Sequence, residues 1–321
     1  MITPSETLKQ NLDNLVVDRL VTVRKQNGLS IYKYSKKAFF KNLWNQYPDL
    51  KEARGIVLDD RGNLISYPFT KIFNYGENGA ALPLNEDVVA TDKINGYLGV
   101  VSIDPTTNEL LMTTSGSFES EYVDDFKNIV GKVEQSEIHD LLKWKNDFTG
   151  VQWTLMFEVI SPDHHHSVIG NQTKSLWFIG MRANFIGSPL MDEEELDDLK
   201  DVFLRSDLFR RPKHQIIPFF LVVDKTKDPN ITIEGWVCRP FNTKSTDAPV
   251  KIKARNYLQK KFLSRTKKDL SFIWNNKNEA RHILPEEFYD VIEELPELVT
   301  FDSWNDMSNE QKVEVLQKVL P

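Results

Sequence analysis

The stretch Tyr97-Leu98-Gly99-Val100-Val101-Ser102-Ile103 alternates in character and is rich in β-branched side chains, which predicts a strand. The turn-forming Asp104-Pro105-Thr106-Thr107-Asn108 then leads to a second strand over residues 109–114. Residues 153–160 and 176–182 read as buried strands, 231–239 as another, and 250–254 as a short one. Upstream, 53–68 reads as strand, tight Asp59-Asp60-Arg61-Gly62-Asn63 turn, strand, running into Phe69-Thr70-Lys71-Ile72-Phe73-Asn74. Amphipathic helices are predicted near 119–131, 135–146 and 193–204. Residues 1–50 mix short helical and strand-like pieces. From about Arg255 onward the pattern is helical, with Pro285-Glu286-Glu287-Phe288 and Ser308-Asn309-Glu310-Gln311 as helix starts. The last sixty residues thus read as a small helical domain.

Composition narrows the class. A chain of 321 residues with 40% hydrophobic content has enough material for a sizeable core, and no apolar run is long enough to span a membrane. The N-terminus lacks the features of a signal peptide, so a cytoplasmic location is expected. The single cysteine, Cys238, rules out an internal disulfide and reads as core packing. A net charge of −7 argues against unselective coating of nucleic acid but leaves room for a local basic face. One such run carries Lys251, Lys253, Arg255, Lys260, Lys261, Arg265, Lys267 and Lys268 with no acid among them. A second basic stretch, Lys33 to Lys41, is interleaved with Tyr32, Tyr34, Phe39, Phe40 and Trp44. It fits single-strand stacking and a half-buried helix equally well.

The candidate chemistry lies at strand ends. Lys93, in Lys93-Ile94-Asn95-Gly96, is read at a loop leading into the 97–103 strand, with Gly96 allowing a sharp turn. A lysine attacks phosphorus only when neighbouring cations or desolvation favour its neutral amine. Taken alone, Lys-x-x-Gly is a common accident and reads more often as an ordinary surface lysine. Glu158 and Glu234 are single acids in apolar surroundings, costly unless each meets a cation, a metal or hydrogen-bond donors; for Glu158 an edge position facing water is the plainer alternative. Lys251 and Lys253 share one strand face, where an anion would relieve their repulsion.

The ordered set Lys-x-Asn-Gly, Phe-Glu, Glu-Gly-Trp-Val and Lys-Ile-Lys resembles the motifs of the covalent nucleotidyltransferases. Within them it is most similar to the phage-type RNA ligase 1 family and the ligase domain of fungal tRNA ligases, over roughly residues 50–258. Ala53-Arg54-Gly55-Ile56 and Lys71-Ile72-Phe73-Asn74 resemble that family's triphosphate-gripping arginine and lysine. The resemblance implies an α+β nucleotidyltransferase domain of antiparallel strands at 1–258, followed by the helical domain at 259–321. By the same resemblance Lys93 becomes covalently bound to AMP, and Lys251 and Lys253 contact the α-phosphate. Glu158 holds the ribose or a metal-bound water, and Glu234 organises Mg²⁺ or Mn²⁺. Trp177 and Phe178 flank the adenine, although core packing suits one of them as well. Arg54, Lys71, Asn95 and Gly96 complete the ATP-binding set.

The implied activity is ATP-dependent sealing of RNA with a 5′-phosphate and a 3′-hydroxyl, as in repair of a broken tRNA. With no P-loop in the chain, any end-healing kinase or phosphatase is a separate protein. Three departures stand out. Asn95 replaces the aspartate that many relatives carry. Ser115-Gly116-Ser117 stands where phage ligases tend to have Lys-Gly-Ser, which puts one phosphate contact in doubt. His164-His165-His166 follows Glu158 where relatives often have an arginine, and reads as a loop or an RNA contact ahead of a zinc site. A non-catalytic RNA-end-binding protein and a DNA ligase are the alternatives.

Overall fold

The computed structural model describes residues 2–162, 173–242, 248–265, 270–284 and 286–320, without the side chains of Arg265 and Glu286. Fourteen strands are present among them: β1 Val21–Gln26, β2 Leu29–Tyr34, β3 Arg54–Asp59, β4 Leu64–Ser66, β5 Phe73–Asn74, β6 Asp87–Lys93, β7 Tyr97–Ile103, β8 Leu110–Thr114, β9 Trp153–Ile160, β10 Ser175–Ala183, β11 Phe209–Arg210, β12 His214–Pro218, β13 Gly235–Pro240 and β14 Val250–Lys253. They form three sheets, ordered β1-β2-β3-β4, β11-β10-β9-β7-β8 and β12-β6-β13-β14-β5. Pairing is antiparallel except for the short β10–β11 and β14–β5 contacts. The fold is α+β, as the resemblance implied.

The described chain divides into two compact units. The first holds residues up to Lys71 and from Asn95 to Pro212; the second holds Ile72–Ile94 and the chain from Lys213. In the first unit the β9-β10 sheet is covered by helices Glu121–Ile129, Lys132–Thr149 and Glu193–Phe203, which bury Phe126, Leu141 and Leu196 against Phe157 and Phe178. Arg211 is sunk into this core, paired with Glu193 and with Asp197 at 2.6 Å. In the second unit Trp236, Cys238 and Val250 pack with Phe219 from helix Phe219–Lys225. A separate helical cluster runs from Ala254 to Leu320 around Phe262, Phe288 and Trp304.

Sequence patterning located most strands. Strand β7 spans 97–103, and the Ser308–Gln311 capping box opens helix Asn309–Val319. Two local readings need correction. Lys93 is the last residue of a strand, β6, instead of the first before one. Strand β13 begins only at Gly235, so Glu234 sits just ahead of it; Gly235 has φ of 148°, a conformation that side-chain-bearing residues avoid.

Candidate active site

The second unit gathers the nucleophile candidate with two acids and two further lysines. Strand β6 is paired to β13, and β13 to β14, with Gly235 opposite both Lys93 and Lys253. A Cβ on Gly235 would lie 2.1 Å from the Ile252 carbonyl, so only glycine lets the strands close here. The result is an alternating ladder of charge. Lys93 Nζ donates to Glu234 Oε2 at 2.7 Å, and Lys253 Nζ lies 3.5 Å from Glu234 Oε1. Lys253 also donates to Glu287 Oε1 at 3.0 Å, and Lys261 donates to the same oxygen at 2.7 Å.

Burial decides what these contacts are worth. Glu234 is 6% exposed at its side chain, Lys253 11% and Glu287 10%, so the charges see little water. Burial alone would raise the Glu234 carboxyl, but the Lys93 and Lys253 ammoniums overcome it and hold its pKa below the ordinary value. For Glu287, burial is likewise outweighed, by Lys253 and Lys261. Burial acts to lower Lys253, yet Glu287 and Glu234 raise it, so it stays a cation. Lys261 is pushed down, by burial first and then by Lys253. Lys251 shares the Lys253 face of β14 and is half-buried.

The first unit carries the rest of the set. Glu158 on β9 stands opposite Trp177 on β10 and Leu98 on β7. Its Oε1 accepts the Gly96 N–H at 2.9 Å, which ties down the loop that follows Lys93. The candidate adenine-flanking pair separates: Phe178 is fully buried against Phe157 at 5.6 Å and belongs to the core, while Trp177 is half-buried on the opposite face. Asn95 precedes Gly96 and is half-buried. At Gly96 a Cβ would meet the Val159 carbonyl at 2.3 Å. Gly96→Ala is therefore expected to cost about 1–3 kcal/mol through forced overpacking. A denaturant titration checks this, and an unchanged midpoint would mean that the loop relaxes freely.

Lys71 is buried with its Nζ 5.1 Å from the Phe39 ring centroid and 5.4 Å from that of Trp44. The aromatics of the 32–44 stretch divide, with Tyr34, Phe39 and Phe40 half-buried. Tyr32 and Trp44 are 0% and 1% exposed, so neither offers a face to an RNA base. The basic run after residue 250 also changes meaning, because Lys261 is engaged with Glu287 while Lys260 is exposed. Lys267, Lys268 and the His164–His166 run lie outside the described residues.

Sequence reasoning did not single out Glu287, and it read Lys261 and Lys33 only as members of basic stretches. Nothing local marks the first two, since Glu287 lies 34 residues from Lys253 and 26 from Lys261. Among the described residues, no group of three or more His, Cys, Asp or Glu is arranged to hold a metal. Magnesium needs only one or two carboxylates beside phosphate oxygens and water, so the donor set is thin but sufficient for that ion and unsuited to zinc.

With this geometry in hand, a sequence profile described as RNA ligase, of the phage RNA ligase 1 type, matches residues 52–272. The chain belongs to that family. It is accordingly an RNA ligase. Among solved structures, an archaeal ATP-dependent RNA ligase matches with a TM-score of 0.56 at 13% identity, covering 99% of this chain and 79% of its own. A protein from Aquifex aeolicus described as an ATP-dependent DNA ligase matches with a TM-score of 0.52 at 13% identity, covering 97% and 76%. At that identity both likenesses speak for the fold alone. No curated protein sequence matches the chain.

Proposed function

We propose that this ligase works through a lysyl-AMP intermediate on Lys93. The Lys93 nitrogen bonds to the α-phosphorus of ATP as the bond to pyrophosphate breaks, and the amine proton passes to water. AMP then passes to an RNA 5′-phosphate, and an RNA 3′-hydroxyl displaces it to form the phosphodiester. The observation that carries this reading is the part-buried contact of Lys93 with Glu234 beside the cation of Lys253. Cations around the reacting phosphate offset the charge that gathers on its oxygens.

Lys251 and Lys253 are assigned to the α-phosphate, Arg54 and Lys71 to the outer phosphates, and Glu158, Asn95, Gly96 and Trp177 to the nucleoside end. Glu234 and Glu158 are the acids assigned to Mg²⁺ or Mn²⁺, which would supply positive charge to the phosphate oxygens. Both Glu234 oxygens face ammoniums, so a metal there would have to replace one of these contacts. In this reading residues 1–258 carry the adenylyltransferase chemistry, and the helical residues 259–321 lend Glu287 to it.

The substrate proposed is RNA with a 5′-phosphate and a 3′-hydroxyl in a loop or single strand, such as a broken tRNA, in the cytoplasm. A separate end-healing enzyme would supply those ends. The experiment is a paired sealing assay on a 5′-phosphorylated RNA able to circularise and on a nicked DNA duplex. Efficient sealing is expected on the RNA and little on the nick. The reverse preference would move the chain to the DNA-ligase branch, and tight RNA binding with no AMP transfer would favour the non-catalytic reading.

A further inference from the structure

Three cations share one face of the β1-β2-β3-β4 sheet in the first unit. Lys33 on β2 stands directly opposite Arg54 on β3, and Arg24 on β1 lies one same-face position along, opposite Ile31. Segment 115–117 lies over this face. The Lys33 side chain crosses Gly116 so closely that a Cβ there would come within 2.5 Å of its Cδ. Gly55, with φ of 97°, packs on Ser115, where a Cβ would sit 3.0 Å from the Ser115 Cα. Arg24 Nη1 donates to Ser117 Oγ at 2.5 Å. Both glycines thus serve to bring the cations and the serine segment together.

No carboxylate among the described residues pairs with any of the three. The acid nearest in sequence to the 115–117 segment, Glu119, accepts from Gln26 at 2.6 Å. Loss of water lowers the Lys33 pKa first, and repulsion from Arg54 and then Arg24 adds to it. Like charges opposite one another on a sheet destabilise it, so the arrangement makes sense only if an anion arrives.

We propose that Lys33, acting with Arg24 and Arg54, binds the outer phosphates of the nucleoside triphosphate, and that it supplies the phosphate contact that Ser115 puts in doubt. The lysine ahead of Gly-Ser in phage ligases is absent here, and Lys33 brings an ammonium across the same glycine from a neighbouring strand. The assignment rests on the reading of the chain as an ATP-using ligase, but the site itself can be tested without the reaction. Nothing in it requires RNA, because three closely spaced cations suit a polyphosphate better than a single bridging phosphodiester.

The test uses the full chain and inorganic tripolyphosphate, measured by calorimetry. Lys33→Ala should weaken binding about tenfold to a hundredfold, the range for losing one charged hydrogen bond. Lys33→Arg should retain most of the affinity. The double variant Lys33→Ala with Ser115→Lys should recover it, since the cation is restored from the other side of Gly116. Circular dichroism shows whether each variant is folded, and the recovery of the double variant guards against a merely structural loss. In parallel, adenylylation by ATP should fall relative to sealing of an RNA that already carries a 5′-AMP, a substrate without outer phosphates. Unchanged tripolyphosphate binding by Lys33→Ala would overturn the proposal. So would a selective loss of sealing on the pre-adenylylated RNA, which would make this an RNA site. A wild-type chain that binds tripolyphosphate through Lys33 yet never acquires AMP would instead refute the lysyl-AMP reading and leave this site standing.

Discussion

Replacing Lys93 with alanine will abolish covalent labelling of the chain by α-labelled ATP, while the same protein still joins an RNA supplied with a 5′-AMP. The first loss is complete because no other amine takes the nucleophile's place. Lys253 is held as a cation by Glu287 and Glu234, and an ammonium cannot attack phosphorus. The pre-adenylylated substrate bypasses that step, so its sealing reports only on phosphodiester formation. Lys93→Arg should fail like alanine, since a guanidinium keeps its proton. Autoradiography after denaturing electrophoresis reads the first result, and product length on a sequencing gel the second. Labelling of Lys93→Ala at the wild-type level would end the mechanism proposed here.

Removing Glu287 is expected to have the largest effect on stability. Its one oxygen neutralises both Lys253 and Lys261 in a setting that water barely reaches. Glu287→Ala leaves two buried ammoniums with Glu234 as the remaining anion, and breaking such a network costs about 3–5 kcal/mol. The pH dependence follows from the directions of the shifts. Glu287 and Glu234 have native pKa values below the ordinary 4.5. Their contribution is therefore whole above that value and is lost as pH falls through the native one. Lys253 is raised, so its contribution is whole below the ordinary 10.5 and disappears as pH climbs past the native value. Lys261 is lowered and works the other way, its penalty lifting as pH rises through its native pKa.

Hydrogen exchange in helices Arg255–Arg265 and Tyr289–Leu298 should report the loss directly. Wild type should open progressively more easily as the pH drops below 4.5. In Glu287→Ala, opening should be easier throughout and less sensitive to acid. Equal acid sensitivity of the two proteins would show that the Glu287 pairs contribute nothing to stability.

How much of this was legible in the sequence depended on the distance over which each feature is defined. Strand β7 and the capping box at Ser308 are specified by neighbours two to four residues apart, and both were found where the pattern put them. Strand β6 was not read. Val88, Val89 and Ala90 form too short an apolar run to separate from a loop, and the pairing to β12 and β13 comes from far along the chain. Glu234 was placed inside a strand because hydrophobicity continues through Ile231 and Ile233, whereas the backbone breaks at Gly235. The motif lysines and acids were recognisable one by one. That Glu234 touches both Lys93 and Lys253 was not, and neither was the Glu287 contact, since no local pattern encodes an ion pair across a sheet and a helix.

The division of the chain has a consequence for its synthesis. Strand β6, which ends in Lys93, is made early, but the strands on either side of it, β12 and β13, begin at His214 and Gly235. A ribosome therefore releases the Lys93 strand well before its partners exist, and that strand waits with both hydrogen-bonding edges open. Non-local pairing of this kind is slow and exposes strand edges to neighbouring chains. A nascent chain stalled short of His214 leaves β6 unpaired on both sides, so premature termination yields an aggregation-prone fragment and no partly working ligase.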